Sequence, residues 1–189
     1  KHLWDDAHVG DDFGLLQAMA PMPRELVGTT SPDPEPGQGN YKGPQPEVDG
    51  HTNWYSWCST NWGTKWDISD EGLEYVDNED GTSHITGWFD SAWAPPIGAY
   101  DTFLDDMDNC SIEATYEEGG MDFAGLWEDF ADAEVTPSDF TADQMENPNS
   151  GLIYDLNEHF NFSEYVREYE EEQKTETEKF IVDKETVNA

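Results

Sequence analysis

The chain has 189 residues, in which 43 Asp and Glu stand against 8 Lys and Arg, for a formal charge of −35 at pH 7. Apolar residues make up 35% of it, below the usual ~45–50%, but 8 Trp, 8 Tyr and 9 Phe argue against disorder, because each large ring can bury on the order of 150–250 Å². The charge makes direct binding to DNA or RNA untenable, since phosphate contacts need Lys and Arg, and it disfavours anionic membranes.

Leu3, Trp4, Val9, Phe13, Leu15 and Leu16 lie among acids, and a short helix is expected over Asp11–Ala20, ended by Pro21 and Pro23. Residues 31–50 hold five prolines and four glycines and read as a long loop or linker. In Asn53–Asn61 the apolar stripe Trp54, Trp57, Cys58, Trp62 has helical spacing. Thr52 or Asn53 can cap this helix and Gly63 can end it. Leu73–Asp77 and Ser83–Asp90 read as strands joined by the turn Asn78-Glu79-Asp80-Gly81. Pro95-Pro96 opens a helix with the stripe Tyr100, Phe103, Leu104, Met107, and Asn109 can end it. Ser111–Glu117 alternates as a half-buried strand, and the glycines of Gly119–Gly125 suit a bulge or tight turn. Beyond Gly125, Val135–Ser150 is expected to be loop and Leu152–Leu156 a short strand. Phe162, Tyr165, Val166 and Tyr169 form a helical stripe, and Phe180-Ile181-Val182 a last strand or docking segment. The order predicts an α+β fold, an antiparallel sheet with helices on one face. It divides into an N-terminal segment (1–30), the Pro/Gly-rich loop (31–50), a core (51–125) and an acidic extension with a C-terminal helix (126–189).

No run of ~18 apolar residues exists, so no membrane span is expected. The N-terminus does not read as a signal peptide. The chain opens Lys1-His2-Leu3 without a Met, so a missing or processed start is expected. Cys58 and Cys110 are not spaced as a metal knuckle; each is read as a buried free thiol, with one disulfide as the alternative. Free thiols suit a reducing compartment, so a cytoplasmic location is expected.

The bases are Lys1, Arg24, Lys42, Lys65, Arg167, Lys174, Lys179 and Lys184. Residues 66–166 contain none of them and 26 acids. A folded chain of this mass exposes roughly 9,000 Å², or about one net charge per ~260 Å², whereas B-DNA, taken as a cylinder of radius ~10 Å, carries about one per ~110 Å². One face could match DNA only if the carboxylates gather there.

The block NWYSWCSTNWGTKWD at Asn53–Asp67, with FDSAWAPP at Phe89–Pro96, YEEGGMDFAG at Tyr116–Gly125 and PMPREL at Pro21–Leu26, resembles the signature of the YubB-type ferredoxin-like family of phage and plasmid proteins. The resemblance spans somewhat over half the chain. It implies a ferredoxin-like sandwich over 51–125 and a mobile-element origin, and it implies no activity. The family's opening strand, which begins Met-Pro-Asn, has no counterpart here, and the tail beyond Gly125 lies outside the match.

Candidate chemistry is sparse. Trp54, Trp57, Trp62, Trp66 and Trp93 read as a helix–sheet core, and Lys65 as the partner of a nearby acid. His2, His8, His51, His84 and His159 form no ligand motif. The acidic runs Asp105–Asn109 and Asp77–Gly81 do not follow the twelve-residue calcium loop, so no cofactor or metal is expected. The leading reading is a non-catalytic inhibitor that imitates nucleic acid and occupies the basic groove of a host or phage enzyme. Asp105, Asp106, Asp108, Glu117, Glu118, Glu128, Asp129, Asp132 and Glu134 are its contact candidates. The alternative is a structural or accessory protein whose charge serves solubility in a saline setting or a virion. A carboxylate-based enzyme or metal protein ranks third.

Overall fold

A computed structural model describes residues 1–10 and 13–187, with side chains described up to residue 175. It is a mixed α+β structure with two small antiparallel sheets. The chain divides into two compact units, Lys1–Ile112 and Glu113–Ala189.

The first unit holds α1 (His2–Ala7), α2 (Leu15–Met19), a 3-10 turn at Arg24–Leu26, α3 (Trp54–Asn61), the hairpin β1 (Leu73–Asp77) and β2 (Ser83–Gly87), and α4 (Ile97–Asp106). α1 was not legible as an element, and the predicted Asp11–Ala20 helix shortens to Leu15–Met19, with Asp11 and Asp12 outside the described residues. α3 starts where expected: the Asn53 side chain accepts a hydrogen bond from the Ser56 N–H at 2.9 Å, supplying one of the acceptors that a helix start lacks. It ends at Trp62 and Gly63, whose φ of +86° suits glycine and whose Cβ, if present, would stand 3.0 Å from the Pro95 carbonyl. Trp57, Cys58 and Trp62 are buried with Leu15, Leu16, Met19, Leu26, Ile68, Ala99 and Tyr100. The Trp62 indole N–H donates to the Ala20 carbonyl at 2.7 Å, so its burial leaves no donor unpaired. The 31–50 segment is coil, as expected, fastened by Asp33 and Gln45: the Asn53 amide donates to Asp33 at 2.6 Å and the Gln45 amide to Asp33 at 2.8 Å.

β1 and β2 pair from Leu73↔Gly87 to Asp77↔Ser83. β2 ends at Gly87, which adopts φ +130°, rather than at Asp90; one further backbone bond, from the Trp88 N–H to the Gly72 carbonyl at 3.0 Å, follows it.

The second unit is a meander of β3 (Glu113–Glu118), β4 (Phe123–Glu128) and β5 (Ala131–Val135), followed by a 3-10 turn at Pro137–Asp139, α5 (Ala142–Met145), α6 (Leu152–Phe160) and α7 (Phe162–Val187). α6 packs on all three strands and α5 against α6 and α7. Ala124, Trp127, Ala142, Met145, Ile153 and Leu156 form the core.

Four expectations are corrected here. The strands form two separate sheets, of two and three strands, and not one sheet. Val135–Ser150 contains a 3-10 turn and α5, which a Thr141–Gln144 capping box starts. Leu152–Leu156 is helical, because Ile153, Leu156, Asn157 and Phe160 recur at helical spacing and extend the pattern beyond a short apolar run. Phe180-Ile181-Val182 lies within α7 and not in a strand; its reading as a docking segment falls outside the described side chains.

Candidate functional site

The site predicted from sequence is a surface of carboxylates, and strand register decides where they point. Successive residues of a strand face opposite sides. The pairs Tyr116↔Gly125, Glu118↔Phe123, Gly125↔Glu134 and Trp127↔Asp132 place Glu118, Asp132 and Glu134 on one face of the three-stranded sheet. The pairs Glu113↔Glu128 and Glu117↔Ala124 place Glu113, Glu117 and Glu128 on the other. Asp129 occupies the β4–β5 turn, with φ +42°. Asp105 and Asp106 end α4 and Asp108 follows it, all in the first unit. Eight of the nine candidates are exposed; Glu118 is half-buried and accepts from the Gly120 N–H at 2.9 Å. Within the second unit the structure therefore does not bring the candidates into one patch, because they fall on opposite sheet faces; Asp105, Asp106 and Asp108 belong to the first unit.

One of them has a local structural duty. The Tyr116 hydroxyl donates to Asp132 at 2.8 Å, reaching across Gly125, where a Cβ would stand 2.3 Å from the Tyr116 ring. Partial burial, the hydrogen bond to Asp132 and the charges of Asp132 and Glu134 push the Tyr116 hydroxyl well above its usual pKa.

Asp67, which the sequence did not single out, is a half-buried acid with a clear task. α2 begins at Gly14 with no cap from its own residues. The Asp67 carboxylate, about 50 residues away in the chain, accepts from the N–H groups of Leu16 and Gln17, each at 2.8 Å, and from its neighbour Ile68 at 2.9 Å. Burial raises its pKa above the ordinary carboxylate value against the pull of those donors. No short-range motif could reveal a cap supplied across such a separation.

The cysteines divide. Cys58 is a buried free thiol, pushed up to about 12 by burial and by the Asp67 charge; Cys110 is free but exposed, contrary to expectation, because it follows α4 in a short polar stretch. The tryptophans divide as well. Trp57 and Trp62 are core and Trp54 is half-buried, but Trp66 and Trp93 are 53% and 66% exposed, a correction to the predicted core. Among the described residues Lys65 forms no ion pair with an acid: its ammonium lies over the Trp66 ring, 3.9 Å from the centroid, and 5.8 Å from that of Trp93. The α7 stripe is also less buried than its spacing suggests, with Tyr165 and Tyr169 exposed.

Several other polar groups have structural partners. His51 bonds Ser56, and His8 bonds the Trp4 carbonyl and lies 3.5 Å from Asp70. Asp80 accepts from the Thr82 N–H and hydroxyl and so shapes the β1–β2 turn. Arg167 donates to Glu146 at 2.6 Å and to Asp143 at 3.3 Å, in an open groove beside α7 that Glu164, Glu168 and Glu171 also line. Among the described residues, no three His, Cys, Asp or Glu gather as a metal site, and no helix is long and apolar enough to cross a membrane. Comparison with protein-family models, with curated proteins and with solved structures finds no match to this chain.

Proposed function

We propose that the chain is a non-catalytic accessory protein of a phage or other mobile element, and that its carboxylates act as a hydrated coat in a saline setting. The observation that carries this reading is the division of the acids between opposite sheet faces. A coat needs carboxylates everywhere, whereas an imitation of nucleic acid needs them gathered in a ridge. Uniform like charge destabilises a compact state by self-repulsion, and salt relieves it, since the Debye length falls from ~10 Å at 0.1 M to ~3 Å at 1 M. The mobile-element part rests on the resemblance carried by the Trp-bearing blocks at Asn53–Asp67 and Phe89–Pro96, as a ferredoxin-like relationship would; the charge coat depends on neither. Thermal unfolding followed from about 0.1 M to about 2 M KCl tests the coat. Its midpoint should climb up to about 1 M, where the repulsion is screened, and a midpoint indifferent to salt over that span would refute the reading.

The second reading, an inhibitor that fills a basic nucleic-acid groove, has one observation in its favour. Asp132 and Glu134 leave the same face of β5, separated by about 7 Å of strand rise, with the Tyr116 hydroxyl fixing the first. Competition against duplex DNA for host DNA-binding enzymes tests it. The mimic must displace DNA at low salt and lose that ability steeply as salt rises; failure to displace DNA at low salt would sink this second reading.

A further inference from the structure

The helix α1 is held lightly. Of its 6 residues only Ala7 is buried, and so short a helix has no stability of its own in water. Its fastenings are therefore informative. The Gly14 N–H donates to the Ala7 carbonyl at 2.9 Å, and the Trp4 ring stacks on Tyr75 of β1 with centroids 6.2 Å apart. The third reaches from the end of α1 to the loop ahead of β1: His8 Nε2 lies 3.5 Å from an Asp70 carboxylate oxygen.

The other nitrogen of that ring decides what Nε2 can do. His8 Nδ1 lies 2.8 Å from the Trp4 carbonyl oxygen. A carbonyl has no proton to give, so Nδ1 carries one and donates it. A neutral imidazole has a single N–H, so the neutral ring turns a bare Nε2 lone pair toward the Asp70 carboxylate. Only the imidazolium, with a proton on each nitrogen, satisfies both neighbours at once. Trp4 and Phe13 pack against the ring, with centroids 4.6 and 4.9 Å from it, and keep it in this orientation.

We propose that α1 is a pH-gated latch: a proton on His8 Nε2 closes it on Asp70, and loss of that proton loosens the helix from the β1–β2 hairpin. The latch is closed in acid and opens as pH rises through the imidazole range, about pH 5 to 8. Opening uncovers the stacked faces of Trp4 and Tyr75. Asp5 and Asp6 precede His8 on its own helix, and Glu71 stands beside Asp70 in the facing loop; α2, which packs against α1, carries no titratable side chain, though Asp67 caps it. Asp11 and Asp12 lie outside the described residues. His8 and Asp70 keep 41% and 45% of their side-chain surface in water, so the contact changes the docking equilibrium by a few-fold and not by orders of magnitude.

Long-range proton–nitrogen spectra of the ring and protection factors of the α1 amides test the latch, on the whole chain at fixed salt. Once neutral, His8 should keep its proton on Nδ1; a neutral ring protonated on Nε2 would overturn the proposal. Between about pH 5.5 and about pH 8 the α1 protection factors should fall about two- to fivefold. Asp70→Asn should abolish or invert that fall, because its amide can donate to the bare Nε2 of the neutral ring. Asp67 is present in both proteins, so its own titration cancels in the comparison. Protection that does not fall with pH in the wild type, or that falls equally in Asp70→Asn, would show that no such latch exists.

Discussion

Replacing Asp67 with Ala removes the cap of a helix that has no other. Two backbone donors of α2, on Leu16 and Gln17, and the N–H of Ile68 lose their acceptor together. Gln17 is exposed and its N–H regains water, so it contributes little. Leu16 is fully buried, and an unsatisfied donor there costs about 1–3 kcal/mol. Loss of a helix cap costs about 1 kcal/mol. The two figures describe the same lost bond, so the expected loss is roughly 1–3 kcal/mol, equivalent to a fall in melting temperature on the order of 5–15 °C for a unit of this size. Urea unfolding at fixed salt, followed by the fluorescence of the Trp57 and Trp62 core, measures it. A loss under about 0.5 kcal/mol, the range of an ordinary surface substitution, would show that α2 does not rely on this carboxylate.

The remaining predictions are shorter. Burial raises the Asp67 pKa in the fold, so the folded state holds the proton more tightly than the unfolded chain does; this group's contribution is therefore complete below the unfolded pKa and is lost as pH rises through the folded one. The stability difference between wild type and Asp67→Asn should accordingly shift in favour of the Asn variant on going from acid to neutral pH, and a shift the other way would mean that the backbone donors outweigh burial. A maleimide should modify Cys110 rapidly in the native protein and leave Cys58, with its thiol pushed up to about 12, untouched until unfolding; mass spectrometry of the labelled peptides decides. Gly125→Ala should destabilise the second unit by about 1–3 kcal/mol, because the new methyl meets the Tyr116 ring at 2.3 Å and the Ala133 carbonyl at 2.7 Å. Unaltered denaturant midpoints would show that Tyr116 simply swings aside.

Local signals were read well where they act over a few residues. Asn53 and Gly63 bracket α3, and Leu73–Asp77 is a strand with the predicted bounds, because capping and turn chemistry are short-range. The β4–β5 hairpin was hidden because its turn uses Asp129 and Phe130, both at positive φ, in place of the glycine or asparagine that marks such turns. Leu152–Leu156 misled because a short apolar run has no period of its own; only the continuation through Asn157 and Phe160 shows the helix. The five tryptophans look alike in sequence, yet Trp57 and Trp62 are buried by helix packing while Trp66 and Trp93 sit in loops whose direction Thr64 and Ala92 set. The acids posed the same difficulty: alternate residues of β3 and β5 belong to opposite surfaces, and a charge count is blind to that.

The most direct test of the coat compares two variants that leave the Tyr116–Asp132 and Gly120–Glu118 hydrogen bonds in place, Glu134→Gln on one sheet face and Glu117→Gln on the other. Both should raise the low-salt melting temperature by similar amounts, and both gains should vanish at about 1 M salt, where the Debye length is ~3 Å. A gain confined to one face and persisting in salt would contradict the account, because it would place the repulsion in a single concentrated ridge.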